Sequence, residues 1–157
     1  MTRSWATGMG SGAGERGLLD TNVVLLRHRV DPAELPDEMA ISAITLAELS
    51  AGTHLVRSND EQSAYDEHEE RARRIDTLQR VESEFEPIPF EAEAARIYGQ
   101  LTAGAVAVGR TPRRRVVDLM IAATAITEDL PLYTTSPDTF VGLGGLLTVV
   151  PVTPRAR

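Results

Sequence analysis

The chain has no cysteine, which excludes a disulfide framework, a thiolate zinc site and a cysteine nucleophile. Its three histidines, His28, His54 and His68, are dispersed and lack the paired spacing of an H-E-x-x-H metal site, so they read as surface or cap residues. Aromatic residues make up only 4% of the chain, and no apolar run approaches the length that spans a bilayer. Residues 1–17 are rich in glycine and serine but lack the apolar stretch of a secretory signal. They read as a flexible tail on a cytoplasmic protein.

Positive charge is also scarce. With 16 basic against 23 acidic residues the net charge is −7, which argues against broad electrostatic binding of nucleic acid. Any contact with RNA would need a local basic patch or bound cations. What is present is ordinary: 157 residues, 42% of them hydrophobic and 25% charged, enough for one domain with its own core.

Along the chain, short apolar runs alternate with helical patterns. Leu18-Leu19 reads as a buried strand, Asp20-Thr21-Asn22 as a polar turn, and Val23 to Leu26 as the start of a helix. A polar link with two prolines, Asp31 to Glu38, leads to a second strand at Met39 to Ser42 and a helix from Ile44 to Leu55. Ser58 and Glu61 form a capping-box pattern opening a long charged helix, with Ala64, Tyr65, Ala72, Ile75, Leu78 and Val81 as its apolar stripe. Phe85 to Pro89 reads as a short strand and Glu91 to Ala105 as a helix. Arg113 to Glu128 is a helix with almost no polar face, expected to be buried nearly all round. Leu132 to Thr134 and Leu147 to Val150 supply two further strands. Strands alternating with helices imply βαβ units: an α/β fold with a mainly parallel sheet and helices on both faces.

Ligands of open parallel sheets bind beyond the carboxyl ends of the strands, and four acids fall there or on adjoining helices. Each has an ordinary structural use when taken singly. Asp20 can cap the following helix, Glu48 fits a T-x-x-E capping box with Thr45, and Asp138 sits after a proline where turns favour aspartate. Asp118 is different, because a carboxylate inside an apolar helix needs a cation, a set of donors, or an ion pair with Arg114 or Arg115 to offset its desolvation. Together the four would repel one another unless a divalent cation neutralised them, and oxygen-only ligation suits Mg²⁺ or Mn²⁺. Such an ion lowers the pKa of a bound water and stabilises charge on phosphate oxygens, so phosphodiester hydrolysis follows without a protein nucleophile. The run Arg113-Arg114-Arg115 offers a local cationic patch for a substrate backbone.

At these residues the chain resembles the PIN-domain family, and more narrowly the ribonuclease toxins of VapBC toxin–antitoxin pairs. The best-matched pieces are Leu18-Leu19-Asp20-Thr21-Asn22, the segment Ser42 to Glu48, and Arg115 to Ala125. The resemblance covers residues 18–152, a nuclease domain between the tail 1–17 and a C-terminal tail 153–157. It implies a three-layer PIN-like sandwich, with Asp20, Glu48 and Asp118 holding the metal directly or through water. It also implies an RNA substrate, a homodimer, and a cognate antitoxin protein that covers the acidic cleft. Family members usually close the site with T-x-N-x-x-D-F. Here Thr134 and Phe140 align, Ser136 replaces the Asn, Thr139 stands at the fourth acid, and Asp138 lies one place early. Asp138 is expected as the fourth ligand, Arg114 and Arg115 as substrate contacts, and Thr134 as a residue orienting a metal-bound water. Two alternatives stand beside this reading: a PIN-like binding module without activity, and a phosphohydrolase of the haloacid-dehalogenase type. The latter normally carries a second Asp where this chain has Asn22.

Overall fold

The computed structural model describes residues 14–56, 63–111 and 115–156. Four strands form one sheet: β1 (Arg16–Leu19), β2 (Glu38–Ala40), β3 (Leu132–Thr134) and β4 (Val149–Pro151). All their pairings are parallel, in the order β2-β1-β3-β4. Five helices join them: α1 (Thr21–Leu26), α2 (Ala43–His54), α3 (Ser63–Glu84), α4 (Ala92–Ala107) and α5 (Val116–Thr127).

The two-residue side-chain period of a strand sorts the sheet into two apolar faces. Leu18, Ala40 and Leu132 point to one, where they meet Leu101 of α4 and Leu119, Ile121 and Ala122 of α5. Leu19 and Tyr133 point to the other, where they meet Val23 and Val24 of α1, Leu49 of α2 and Val81 of α3. The result is the expected three-layer sandwich. Full burial of each such leucine contributes roughly 1.5–3 kcal/mol relative to exposure.

Several boundaries differ from the sequence reading for local reasons. Helix α2 begins at Ala43, because Ser42 accepts from the Thr45 backbone N–H and caps it. The expected T-x-x-E box is therefore one turn out of register, and Glu48 has no capping duty. The strand expected over Phe85 to Pro89 shrinks to a single bridge, in which Ile88 donates to the Ile41 carbonyl and accepts from the Ala43 N–H. Helix α5 starts at Val116, and only Leu119 and Ile121 to Ala125 are fully sunk; its first turn, with Val117 and Asp118, reaches the surface. Thr124 and Thr127 are tolerated in it because their hydroxyls donate to the Met120 and Ala123 carbonyls. The proposed cap at Ser58 and Glu61 lies outside the described residues.

Candidate active site

From β1 the chain moves to β2 on one side, and from β3 to β4 on the other, so the order reverses between β1 and β3. In parallel sheets the crevice beyond the carboxyl ends of such a strand pair is where ligands bind. Asp20 stands at this point. Its backbone N–H donates to the Tyr133 carbonyl, and its carboxylate is held twice: Oδ1 accepts from the Thr21 N–H at 2.9 Å, and Oδ2 from the Thr134 hydroxyl at 2.8 Å. Asp20 thus caps α1 and also faces the crevice end of β3.

Glu48 projects from the middle of α2 and is exposed. The Thr21 hydroxyl donates to its Oε1 at 2.5 Å and lies 3.0 Å from the Thr45 hydroxyl. A hydroxyl has one proton, and that of Thr21 goes to Glu48, so Thr45 is the donor to Thr21. Ser42 in turn donates to Thr45 at 3.4 Å. Ser42 and Thr45 are fully buried, so this chain of hydroxyls ties Glu48 to the protein interior.

Asp118, in the first turn of α5, completes a set of three. Burial raises its carboxyl above the ordinary range, the negative charges of Asp20 and Glu48 raise it further, and the Arg115 guanidinium acts in the opposite sense. The alternative of an ion pair between Asp118 and Arg115 is not seen among the described residues, and Arg115 Nη1 donates to the Thr139 carbonyl. Arg114 lies outside the described residues. The three carboxylates act on one another electrostatically but are not closed into a cage. Among the described residues no three His, Asp or Glu side chains stand ready to hold a metal ion. The donor chemistry nevertheless suits a hard divalent cation: all the donors are oxygens, and the mutual repulsion seen at Asp118 is what such an ion would offset.

Two further expected site residues stand apart from this set. Asp138 lies in a 3-10 turn, Pro137–Phe140, with its side chain exposed. Among the described residues no hydrogen bond or ion pair ties it to the other acids, and it is not among the charges that raise Asp118. Thr134 is fully buried, with its hydroxyl donating to Asp20 and accepting from the Ser136 N–H. Through that bond it supports the Asp20 carboxylate.

A family model for the PIN domain matches residues 17–140. The chain belongs to the PIN-domain family. This PIN domain is 35% identical over 136 residues to Ribonuclease VapC5 of Mycobacterium tuberculosis, covering 85% of the chain and 91% of the relative. It is 33% identical over 110 residues to Ribonuclease VapC8 of the same species, covering 69% and 89%. Its fold is similar to that in the crystal structure of VapBC-5, a member of the VapBC family of toxin-antitoxin systems from M. tuberculosis. That likeness has a TM-score of 0.70 and 32% identity, and it covers 87% of this chain and 98% of that one.

Three supporting residues of the PIN domain were not singled out from sequence. Thr21 and Thr45 read as turn and cap residues, and only the folded register shows that the Thr21 hydroxyl donates to Glu48 while Thr45 holds Thr21. Arg110 read as part of a loop, yet its guanidinium meets the same Thr139 carbonyl as Arg115.

Proposed function

We propose that this PIN domain is a divalent-metal-dependent endoribonuclease and the toxin component of a type II toxin–antitoxin pair. The observation that carries the reading is the gathering of Asp20, Glu48 and Asp118 at the sheet's switch point, where burial and then the charges of the first two raise the carboxyl of the third. The kinship with proteins named as ribonucleases, and the likeness to a toxin-antitoxin structure, support the choice of RNA and of an antitoxin partner.

In this reading Asp20, Glu48 and Asp118 hold Mg²⁺ or Mn²⁺. When bound, the ion supplies a water of lowered pKa and offsets charge on the phosphate oxygens. The protein's part is preorganisation. Thr134 and the Thr21 N–H fix the Asp20 carboxylate, while the hydroxyl chain from Ser42 leaves Glu48 one committed oxygen, Oε1, and one oxygen, Oε2, for the site. Asp138, expected as a fourth ligand, would have to reach the ion from the exposed turn that carries it. The enzyme works on cytoplasmic RNA as a homodimer, and an antitoxin covers the acidic crevice. No helix among the described residues is long and apolar enough to cross a membrane.

Induced expression in growing bacteria tests the toxin assignment. Growth should stop with the unsubstituted chain and continue with Asp118→Asn at equal protein level. Unimpaired growth with active protein accumulating would contradict it.

A further inference from the structure

All 16 basic residues of the chain are arginines, and most of those described are neutralised. Along α3, Arg71, Arg73, Arg74 and Arg80 each sit within ion-pair distance of a glutamate or aspartate. Arg110 and Arg115 differ. Among the described residues neither is in an ion pair, yet both are half-buried and both donate to one oxygen, the Thr139 carbonyl, at 3.4 and 2.5 Å. Their donating nitrogens therefore lie within about 6 Å of each other. Two guanidinium groups held so close repel one another, and a single neutral carbonyl does not offset this. They also share the wall of a hollow of about 380 Å³ with Thr111, Thr139 and Asp118. An anion seated between them would relieve the repulsion and use the unspent N–H forks.

We infer that Arg110 and Arg115, clamped on the Thr139 carbonyl, form a subsite for one backbone phosphate of the RNA, next to the phosphate at the carboxylates. The inference rests on the ribonuclease reading and adds to it where the strand leaves the acidic crevice. Guanidinium forks suit phosphate oxygens because they donate two parallel hydrogen bonds. The subsite also shows how a chain of net charge −7 can hold a polyanion: by two cations left unneutralised beside the reacting position. Asp118, which lines the same hollow, disfavours free small anions, so the phosphate must arrive on a strand anchored at its neighbour.

The test uses the full chain carrying Asp20→Asn, which is meant to bind RNA without cutting it. Fluorescence anisotropy with a labelled single-stranded RNA is read across a series of KCl concentrations. Adding Arg110→Gln and Arg115→Gln should weaken binding about tenfold and reduce the salt slope by about 0.7, the value for one phosphate on a single strand. Arg110→Gln alone, whose bond to Thr139 is the longer, should give a smaller loss of the same kind without disturbing the melting curve. Replacing Arg80 and Arg96, on α3 and α4, by Gln removes the same formal charge and should change affinity by less than about twofold. Unchanged affinity and slope in the Arg110/Arg115 variant would overturn the inference, as would an equal loss in the Arg80/Arg96 control. So would an acidic peptide that binds as tightly with the same arginine dependence, since the site would then belong to a protein partner. Cleavage of the same RNA by the unsubstituted chain separates the two levels. If it cuts and the arginine variant cuts with unchanged KM, only the subsite fails; if it neither cuts nor binds RNA, the ribonuclease reading fails and the subsite with it.

Discussion

Replacing Thr134 by valine removes one hydroxyl and keeps the shape of a fully buried side chain. The structure shows what that hydroxyl does: it donates to Asp20 Oδ2 at 2.8 Å and accepts from the Ser136 N–H at 3.0 Å. A hydrogen bond to an ionised carboxylate contributes about 1.5–3 kcal/mol net, and Ser136 is exposed, so water can replace its lost partner. The expected cost is about 2 kcal/mol, which in a domain of this size lowers the melting temperature by roughly 4–8 °C. Thr134→Ser, which restores the hydroxyl, should recover most of it. A double-mutant cycle with Asp20→Asn, read by urea denaturation, should give a coupling energy of about 1–2 kcal/mol. A second readout separates positioning from bulk stability: Thr134→Val should raise the Mn²⁺ dissociation constant measured by isothermal titration well below the melting point. Thr134→Val with the parent's stability, or a coupling within about 0.5 kcal/mol of zero, would refute the role assigned to Thr134.

Without metal, Asp118→Asn should stabilise the protein by on the order of 1 kcal/mol, because it removes a charge that burial disfavours and that two neighbouring carboxylates repel. The sign follows from Asp118, whose folded-state carboxyl is raised. Protonation favours the fold, so in chelator the parent should lose stability as pH rises through the upper carboxylate range and Asp118→Asn should lose less; equal pH profiles would count against the charge cluster. Gly17→Ala should cost about 1–3 kcal/mol in a denaturant melt, since a Cβ there would run into the buried Tyr133 ring, with Cδ1 at 2.7 Å, and press on Pro36 at 3.1 Å; a neutral result would mean that β1 can shift. Arg27→Gln should cost about 1 kcal/mol, because Arg27 joins the end of α1 to α3 through two bonds to Glu84 and lies over the Phe85 ring. Glu84 is held below the ordinary carboxylate range chiefly by its bond to Arg27, so this contribution is present above that range and fades as pH falls through it. Pulse proteolysis across that range would show it, and a loss in Arg27→Gln that does not shrink at low pH would contradict it.

The sheet and its acids were legible because their signals are local. Leu18 and Leu19 are both apolar and both buried, one on each face, which is what a central strand flanked by two helix layers requires. Asp118 stood out as a charge in an otherwise apolar helix. The features that escaped depend on register or on contacts distant in sequence. Ser42 and Thr45 are each good caps three residues before a polar partner, and only the bridge to Ile88, which sets where β2 ends, selects Ser42. That choice frees Glu48 and buries Thr45. Asp138 is read as a displaced ligand because its sequence neighbours align with the family's closing segment, and the 3-10 turn that carries it is set by Pro137 rather than by any tie to the other acids. The meeting of Arg110 with Arg115 takes place at a backbone carbonyl supplied by Thr139, which no side-chain pattern announces.

Incubating purified chain with single-stranded RNA and Mg²⁺ or Mn²⁺ tests the central claim most directly, set beside chelator, Asp20→Asn and Asp118→Asn in parallel reactions. Internal cleavage is expected from the unsubstituted chain and none in the three other reactions, with both variants folded by circular dichroism. Cleavage that persists at the same rate in chelator or in either variant, or an unsubstituted chain that leaves RNA intact, would contradict it.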